Sequence, residues 1–292
     1  MKLKHLAFLA PCIWGTTYFV TTEFLPPDRP FLAAVIRALP AGLILICGRQ
    51  LPDVSWLLRL FVLGALNIGL FFVLLFTAAY KLPGGIVALV GSIQPLVVIG
   101  FSVVLLTQAV TKKQLMAALV GVAGVILLIS LPAESLNPYG VLAALLATSS
   151  MALGLVMTKR WGRPPGMSLL TFTGWQLLCG GLVILPVQVI VESYPATLSV
   201  TNIAGYLYLA IPGSLLAYYV WFAGVESNAP VAMSLLGFTS PIVALFLGFV
   251  FLGQGLSAAQ VIGAFMVFSA ILLSHEKSYS KALFSAMQKQ AH

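Results

Sequence analysis

Few residues of this chain could do chemistry inside an apolar environment, and they fall at related places. The stretch GSIQPLV holds Gly91, Gln94 and Pro95, and GFTSPIV holds Gly237, Thr239 and Pro241, each within an apolar run. Proline removes a backbone donor and crowds the carbonyl four residues before it, and in both stretches that earlier residue is glycine. The freed carbonyls must be buried in protein or line a wet cavity, and Ser92, Gln94, Thr239 and Ser240 stand beside the breaks to share that role. Kinks of this kind also serve packing alone, but their recurrence in the same pattern predicts two bent helices with Gly91, Pro95, Gly237 and Pro241 as gating hinges.

Arg37 is the one charge deep in an apolar run, six residues or about 9 Å past Phe31. A buried arginine costs roughly 2.5 to 3.5 kcal/mol even on the lenient insertion scale, so it requires a partner. No Asp or Glu lies in the interior of a run, since Glu23, Asp28 and Glu226 sit near ends. Three readings stay open: donation to carbonyls freed by Pro40, snorkelling to the interface, or binding an anionic substrate. Trp14, Thr17, Tyr18, Asn67, Gln94, Trp175, Gln176, Tyr218, Tyr219, Trp221 and Thr239 are the other polar or aromatic positions at depth. A single Tyr or Trp is most simply an interfacial anchor. Taken together they would line an amphipathic cavity for a small organic molecule, with Asn67 and Gln94 the stronger candidates because amides seldom face lipid.

Other chemistry is absent from the pattern. Cys12, Cys47 and Cys179 fall in apolar runs without pairing or metal-ligand spacing. The chain contains no H-E-x-x-H, G-x-S-x-G, paired intramembrane aspartates or phosphate loop, so neither an enzyme nor an ATP-driven pump is expected, and no cofactor. His5, His275 and His292 lie at the ends, which favours a facilitator or exchanger over proton coupling unless Glu23 dips inward.

The elements that must position these residues follow from composition. Hydrophobic residues make up 60% and charged residues 8% of the chain, and the mean hydropathy is +1.06; soluble domains are about a quarter charged. A bilayer core needs roughly 20 apolar residues per helix, and ten runs meet that need, at about 4–22, 31–48, 56–79, 84–106, 114–132, 138–157, 167–191, 203–223, 230–252 and 258–274. The first follows Lys2 and Lys4 but holds Pro11, Trp14 and Tyr18 and no small-x-small cleavage site, so it reads as a helix and not a signal peptide. The loops are too short for a soluble domain.

With the N-terminus cytoplasmic, the inner segments hold Lys2, Lys4, Arg49, Arg59, Lys112, Lys113, Lys159, Arg160, Arg163, Lys277, Lys281 and Lys289, against Arg29 and Lys81 outside. This asymmetry follows the positive-inside rule. The net charge of +8 is therefore topological and directed to lipid headgroups, not to nucleic acid. Both termini are expected in the cytoplasm, with the tail 277–292 on the inner surface.

A shift of 146 residues brings Leu89, Gly91, Pro95, Val97, Gln108, Gln114, Ala118 and Leu127 onto Leu235, Gly237, Pro241, Val243, Gln254, Gln260, Ala264 and Leu273. At the start of each half a shift of 139 puts Gly15 on Gly154, Pro26 on Pro165 and Arg37 on Gln176. Five spans per repeat make the copies, 1–133 and 134–276, inverted in the membrane. Such pseudo-two-fold symmetry typifies transporters, with the substrate near the midplane between the halves. A channel would show a continuous polar face, and a scaffold would need an interaction module.

These residues resemble the EamA family of the drug/metabolite transporter superfamily, and its PecM-like branch in particular. The resemblance is carried by WGTTYFVTTEFLPP from Trp14, the arginine of VIRALPAGL, and the paired GSIQPLV and GFTSPIV segments. It implies ten helices, a central cavity lined by the first four helices of each repeat, peripheral fifth and tenth spans, and export of metabolites or amino acids from the cell. The family often carries Gly-Glu where this chain has Gln108 and Gln254, so no role of those acids transfers. Gly121 and Gly124 would let helices approach closely, within or between protomers.

Overall fold

Loop residues set where the helices begin. Asp53 accepts the amide of Ser55 at 2.8 Å, and Asn137 accepts those of Tyr139 and Gly140 at 3.0 and 3.1 Å. Ser199 and Asn202 exchange side-chain and backbone bonds in a capping box. Gly162, at φ +68°, ends the helix that carries Lys159 and Arg160 in its last turn, where glycine tolerates the left-handed backbone and basic side chains meet the negative end of the helix dipole.

The computed structural model describes residues 6–49, 51–79, 81–82, 84–128, 137–251 and 257–274, and every regular element among them is helical. In chain order they are α1 (Leu9–Phe24), α2 (Pro30–Ile46), α3 (Val54–Gly64), α4 (Leu70–Ala79), α5 (Gly84–Ser92), α6 (Gln94–Leu106), α7 (Lys112–Leu128), α8 (Pro138–Trp161), α9 (Leu169–Val191), α10 (Val200–Ala210), α11 (Ala217–Ser227), α12 (Pro230–Leu236), α13 (Thr239–Phe251) and α14 (Ala258–Ser274). A π turn at Ala65–Gly69 joins α3 to α4, and another at Ile211–Leu216 joins α10 to α11. Gln254, His275 and the tail 277–292, all part of the sequence expectations, lie outside the described residues.

Six helices among the described residues are long and apolar enough to cross a membrane: Val54–Ala79, Ile86–Leu106, Pro138–Trp161, Leu169–Val191, Val200–Ser227 and Pro230–Phe251. Pro30–Ile46 and Ala258–Leu273 are shorter apolar helices. Large apolar side chains cover the outside, with Ile190 83% and Phe265 70% exposed, as lipid-facing positions should be.

Helix packing relies on missing side chains. Along α2 and α9, a Cβ on Gly42 would stand 2.5 Å from the backbone nitrogen of Leu178, and one on Gly181 the same distance from Leu39. These two glycines are paired by the 139-residue shift. The helices α7 and α14 also lie together: a Cβ on Gly124 would meet the Gly263 carbonyl at 2.8 Å, and one on Gly263 the Gly124 carbonyl at 2.6 Å. Gly121 faces the ring of Phe238. The small residues of α7 thus serve contacts inside one chain.

Candidate functional site

Each recurring Gly-x-x-x-Pro segment interrupts its helix by a turn of one or two residues, Ile93 in the first and Gly237–Phe238 in the second, with Ile93 and Gly237 still in the right-handed helical region. α5 ends at Ser92, Ile93 turns, and Pro95 enters the first turn of α6; Pro241 enters the first turn of α13 after the Gly237–Phe238 turn. In a first turn the missing donor has no helical partner to lose. Short-range bonds close the gaps, from Ile93 N to the Val90 carbonyl (3.2 Å) and from Gly237 N to the Ser234 carbonyl (3.0 Å).

Two cavities meet at these breaks. The first, about 650 Å³, runs inward from a mouth formed by Pro26, Pro27, Asp28, Arg29 and Pro30 to Trp14, Thr17, Arg37, Phe71, Phe72, Phe76, Tyr218 and Trp221. The second, about 700 Å³, lies between α5 and α13 and is lined by Gly91, Pro95, Gly237, Pro241 and Ala244 among others. Phe71, Leu75, Gln94, Met151, Gly237 and Ser240 line both. Beneath the first cavity the rings of Tyr218 and Trp221 pack on Trp14 at centroid distances of 5.1 and 5.2 Å. The far end is closed. Gly224 packs on Ala7 and Met233, Lys159 donates to the Val225 and Glu226 carbonyls, and Arg163 pairs with Glu226 at 2.9 Å.

Arg37 finds its partners across the molecule and not at carbonyls freed by Pro40. Its Nε donates to Ser214 Oγ and its Nη2 to the Gly213 carbonyl, both at 3.0 Å, and the guanidinium carbon sits 4.7 Å from the centre of the Phe72 ring. Trp14 Nε1 donates to the same Gly213 carbonyl at 3.1 Å. The π turn makes this carbonyl available, since its register displaces the regular helical acceptors.

Gln176, the counterpart of Arg37, reaches the other π turn. Asn67 Nδ2 donates to Gln176 Oε1 at 2.9 Å and to Thr158 Oγ1 at 3.0 Å, and all three residues are buried. Asn67 and Gln176 therefore form a polar node beside the cavities and line neither. Trp175, Tyr219 and Thr239 also stand outside both linings, with Trp175 packed in an apolar cluster around Leu60, Leu63 and Phe172. Their neighbours Tyr218 and Ser240 point inward instead. Glu23 is exposed in the last turn of α1 and lines neither cavity.

Three buried polar atoms of lining residues have no bond: Thr17 Oγ1, Gln94 Nε2 and, at the mouth, Arg29 Nε. They are free to meet a ligand. The sequence reading omitted Ser214, Gly213, Thr158, Met151 and the phenylalanines of α4. It also omitted Glu192, whose carboxylate accepts from Phe31 N (2.8 Å) and Leu32 N (2.7 Å) at the start of α2. The one signal that could have located the π turns is the 146-residue shift, which lays Asn67 on Gly213. Among the described residues no group of His, Cys, Asp or Glu could hold a metal ion.

Apolar helices around a broken-helix cavity define a multi-pass membrane protein of the transporter class. The chain belongs to the EamA-like transporter family, whose model matches residues 4–130 and 138–275. It is 66% identical to Protein PecM of Dickeya dadantii over 99% of this chain and 96% of that protein. It is 25% identical to a probable amino-acid metabolite efflux pump of Salmonella typhimurium, over 94% of each. A solved crystal structure superposes with a TM-score of 0.78 over 93% of this chain and 96% of its own, at 20% identity, a likeness of fold.

Proposed function

We propose that the chain is an alternating-access secondary transporter that exports small organic metabolites, such as amino acids or related carboxylates and amines, across the cell membrane. In this reading ten helices form two inverted repeats, 1–133 and 134–276, with both termini and the tail 277–292 in the cytoplasm. The cavity mouth at Pro26–Pro30 then faces outward.

One observation carries the reading. The half-helix α6 packs on α12, whereas their repeat counterparts, α13 and α5, enclose the second cavity. Equivalent helix pairs are thus closed at one end and open at the other, which is what an inverted repeat needs in order to exchange two mirror-related states. Gly91, Pro95, Gly237 and Pro241 are the hinges of that exchange. Thr17, Gln94, Arg37 and Trp14 meet the substrate, and Asn67 with Gln176 holds the first π turn in place. The name of the Salmonella relative supports the amino-acid class and the outward direction.

Proteoliposomes loaded with a mixed metabolite pool test this directly by mass spectrometry of the released compounds. One chemical class should leave faster than from protein-free vesicles. Folded protein that releases nothing, with or without a proton or sodium gradient, would sink the transport reading.

A further inference from the structure

The two π turns and the side chains that reach them form a repeat-related pair of unequal chemistry. Arg37 of the first half donates to Gly213 and Ser214 in the second π turn, while Gln176 of the second half accepts from Asn67 in the first. Shifts of 139 and 146 residues lay Arg37 on Gln176 and Asn67 on Gly213. The equivalence ends with charge and surroundings. Arg37 is cationic and, though 3% exposed, lines the first cavity; Gln176 is neutral, 0% exposed and lines neither cavity.

When inverted repeats exchange conformations, each half adopts the shape the other had. Residue 37 would then occupy the sealed setting that residue 176 occupies here. For glutamine that setting carries no charge penalty: its oxygen accepts from Asn67, and the Nε2 left without a bond is neutral. A guanidinium keeps its charge, and sealing it away from a wet cavity without a counter-ion carries a desolvation penalty that a neutral amide escapes. Asp28, the one carboxylate among the lining residues of the first cavity, stands at its mouth.

We infer that Arg37 biases the protein toward the state whose cavity opens at Pro26–Pro30, and that a substrate carrying an anionic group relieves the bias by travelling beside Arg37 as a neutral pair. The inference rests on the alternating-access reading and deepens it. It assigns the substrate class through the conformational step, with Arg37 as both contact and gatekeeper.

Cysteine accessibility in membrane vesicles reads the bias without knowledge of the substrate. Ala244 lines the second cavity, and Val98, its counterpart under the 146-residue shift, is 0% exposed. Each is replaced by cysteine in a chain whose Cys12, Cys47 and Cys179 are changed to alanine, then labelled with a water-soluble maleimide. The unaltered Arg37 background should label at position 244 far faster than at 98. Minor states of two-state proteins are populated at roughly 0.1–10%, so Arg37→Gln should raise labelling at 98 relative to 244 about tenfold, while Arg37→Lys, which keeps the charge, should not. Ser214→Asp places a counter-ion where Oγ now lies 3.0 Å from Nε and should act like Arg37→Gln, which keeps the test decisive if that variant does not fold. Labelling at both positions with a ratio unmoved by either neutralising change would overturn the bias and leave alternating access standing. If position 98 never labels in any variant, alternating access falls and the inference with it.

Discussion

Arg37 shows how a charge can sit in a span with no acid opposite. Hydrogen bonds to charged groups contribute about 1.5–3 kcal/mol each and a cation–π contact about 0.5–2 kcal/mol. Two such bonds and the Phe72 ring thus offset the roughly 2.5–3.5 kcal/mol of inserting arginine at depth. Gln94 is the contrasting case, because its Nε2 is buried with no partner. In the proposed reading that amide meets the substrate, so Gln94→Ala should slow transport by about tenfold, the equivalent of one lost hydrogen bond of about 1.4 kcal/mol. The melting temperature of the detergent-purified protein should stay within a degree or two; a large drop would mean that the amide is structural. Gly154 predicts the reverse pattern. A Cβ there would stand 2.5 Å from Asn67 Oδ1, so Gly154→Ala should displace the amide and lower stability by about 1–3 kcal/mol, read by thermal unfolding. Which residues face the cavity was only partly legible in the sequence. Neighbours on a helix diverge by about 100°, so without the register Tyr219 and Thr239 were indistinguishable from Tyr218 and Ser240, which do line it.

Helices were more legible than contacts, because run length and loop chemistry are local signals. The observed helices Val54–Ala79, Leu169–Val191 and Pro230–Phe251 fall within a few residues of the expected runs. The π turns escaped notice, since one extra residue per turn leaves an apolar run looking the same. Yet they sit at matching places in the two halves and supply the carbonyl that Trp14 and Arg37 share. The breaks at Pro95 and Pro241 belong to the same scale. Pro95→Ala and Pro241→Ala would each allow the flanking half-helices to fuse, and transport in proteoliposomes should fall more than folded yield in the membrane. Equal losses of both would return the breaks to a packing role. Where α2 meets α9 there is no slack: Gly42→Ala would press a methyl onto the Leu178 backbone, and folded yield should drop before any change in transport per molecule.

For the whole molecule, the closed end is held by interactions of small individual strength. Arg163 and Glu226 are about one-third exposed, and such a pair contributes about 0–1 kcal/mol. Glu226→Gln should therefore leave the melting temperature nearly unchanged. Packing of Gly224 on Ala7 and Met233 does more to seal that end, and Gly224→Leu should cost folded yield. The family and the all-helical membrane character were readable from the sequence because motif segments and apolar runs need no knowledge of tertiary contacts. The partners of Arg37 were not, because they lie 176 and 177 residues further along the chain. That separation also has a meaning in time. A ribosome adds roughly 5–20 residues per second, so Arg37 is made about 9 to 35 seconds before Gly213 and Ser214. α2 likewise precedes the α9 backbone on which its glycine closes. The first half is thus made with its arginine unmet, and helices of the second half complete it.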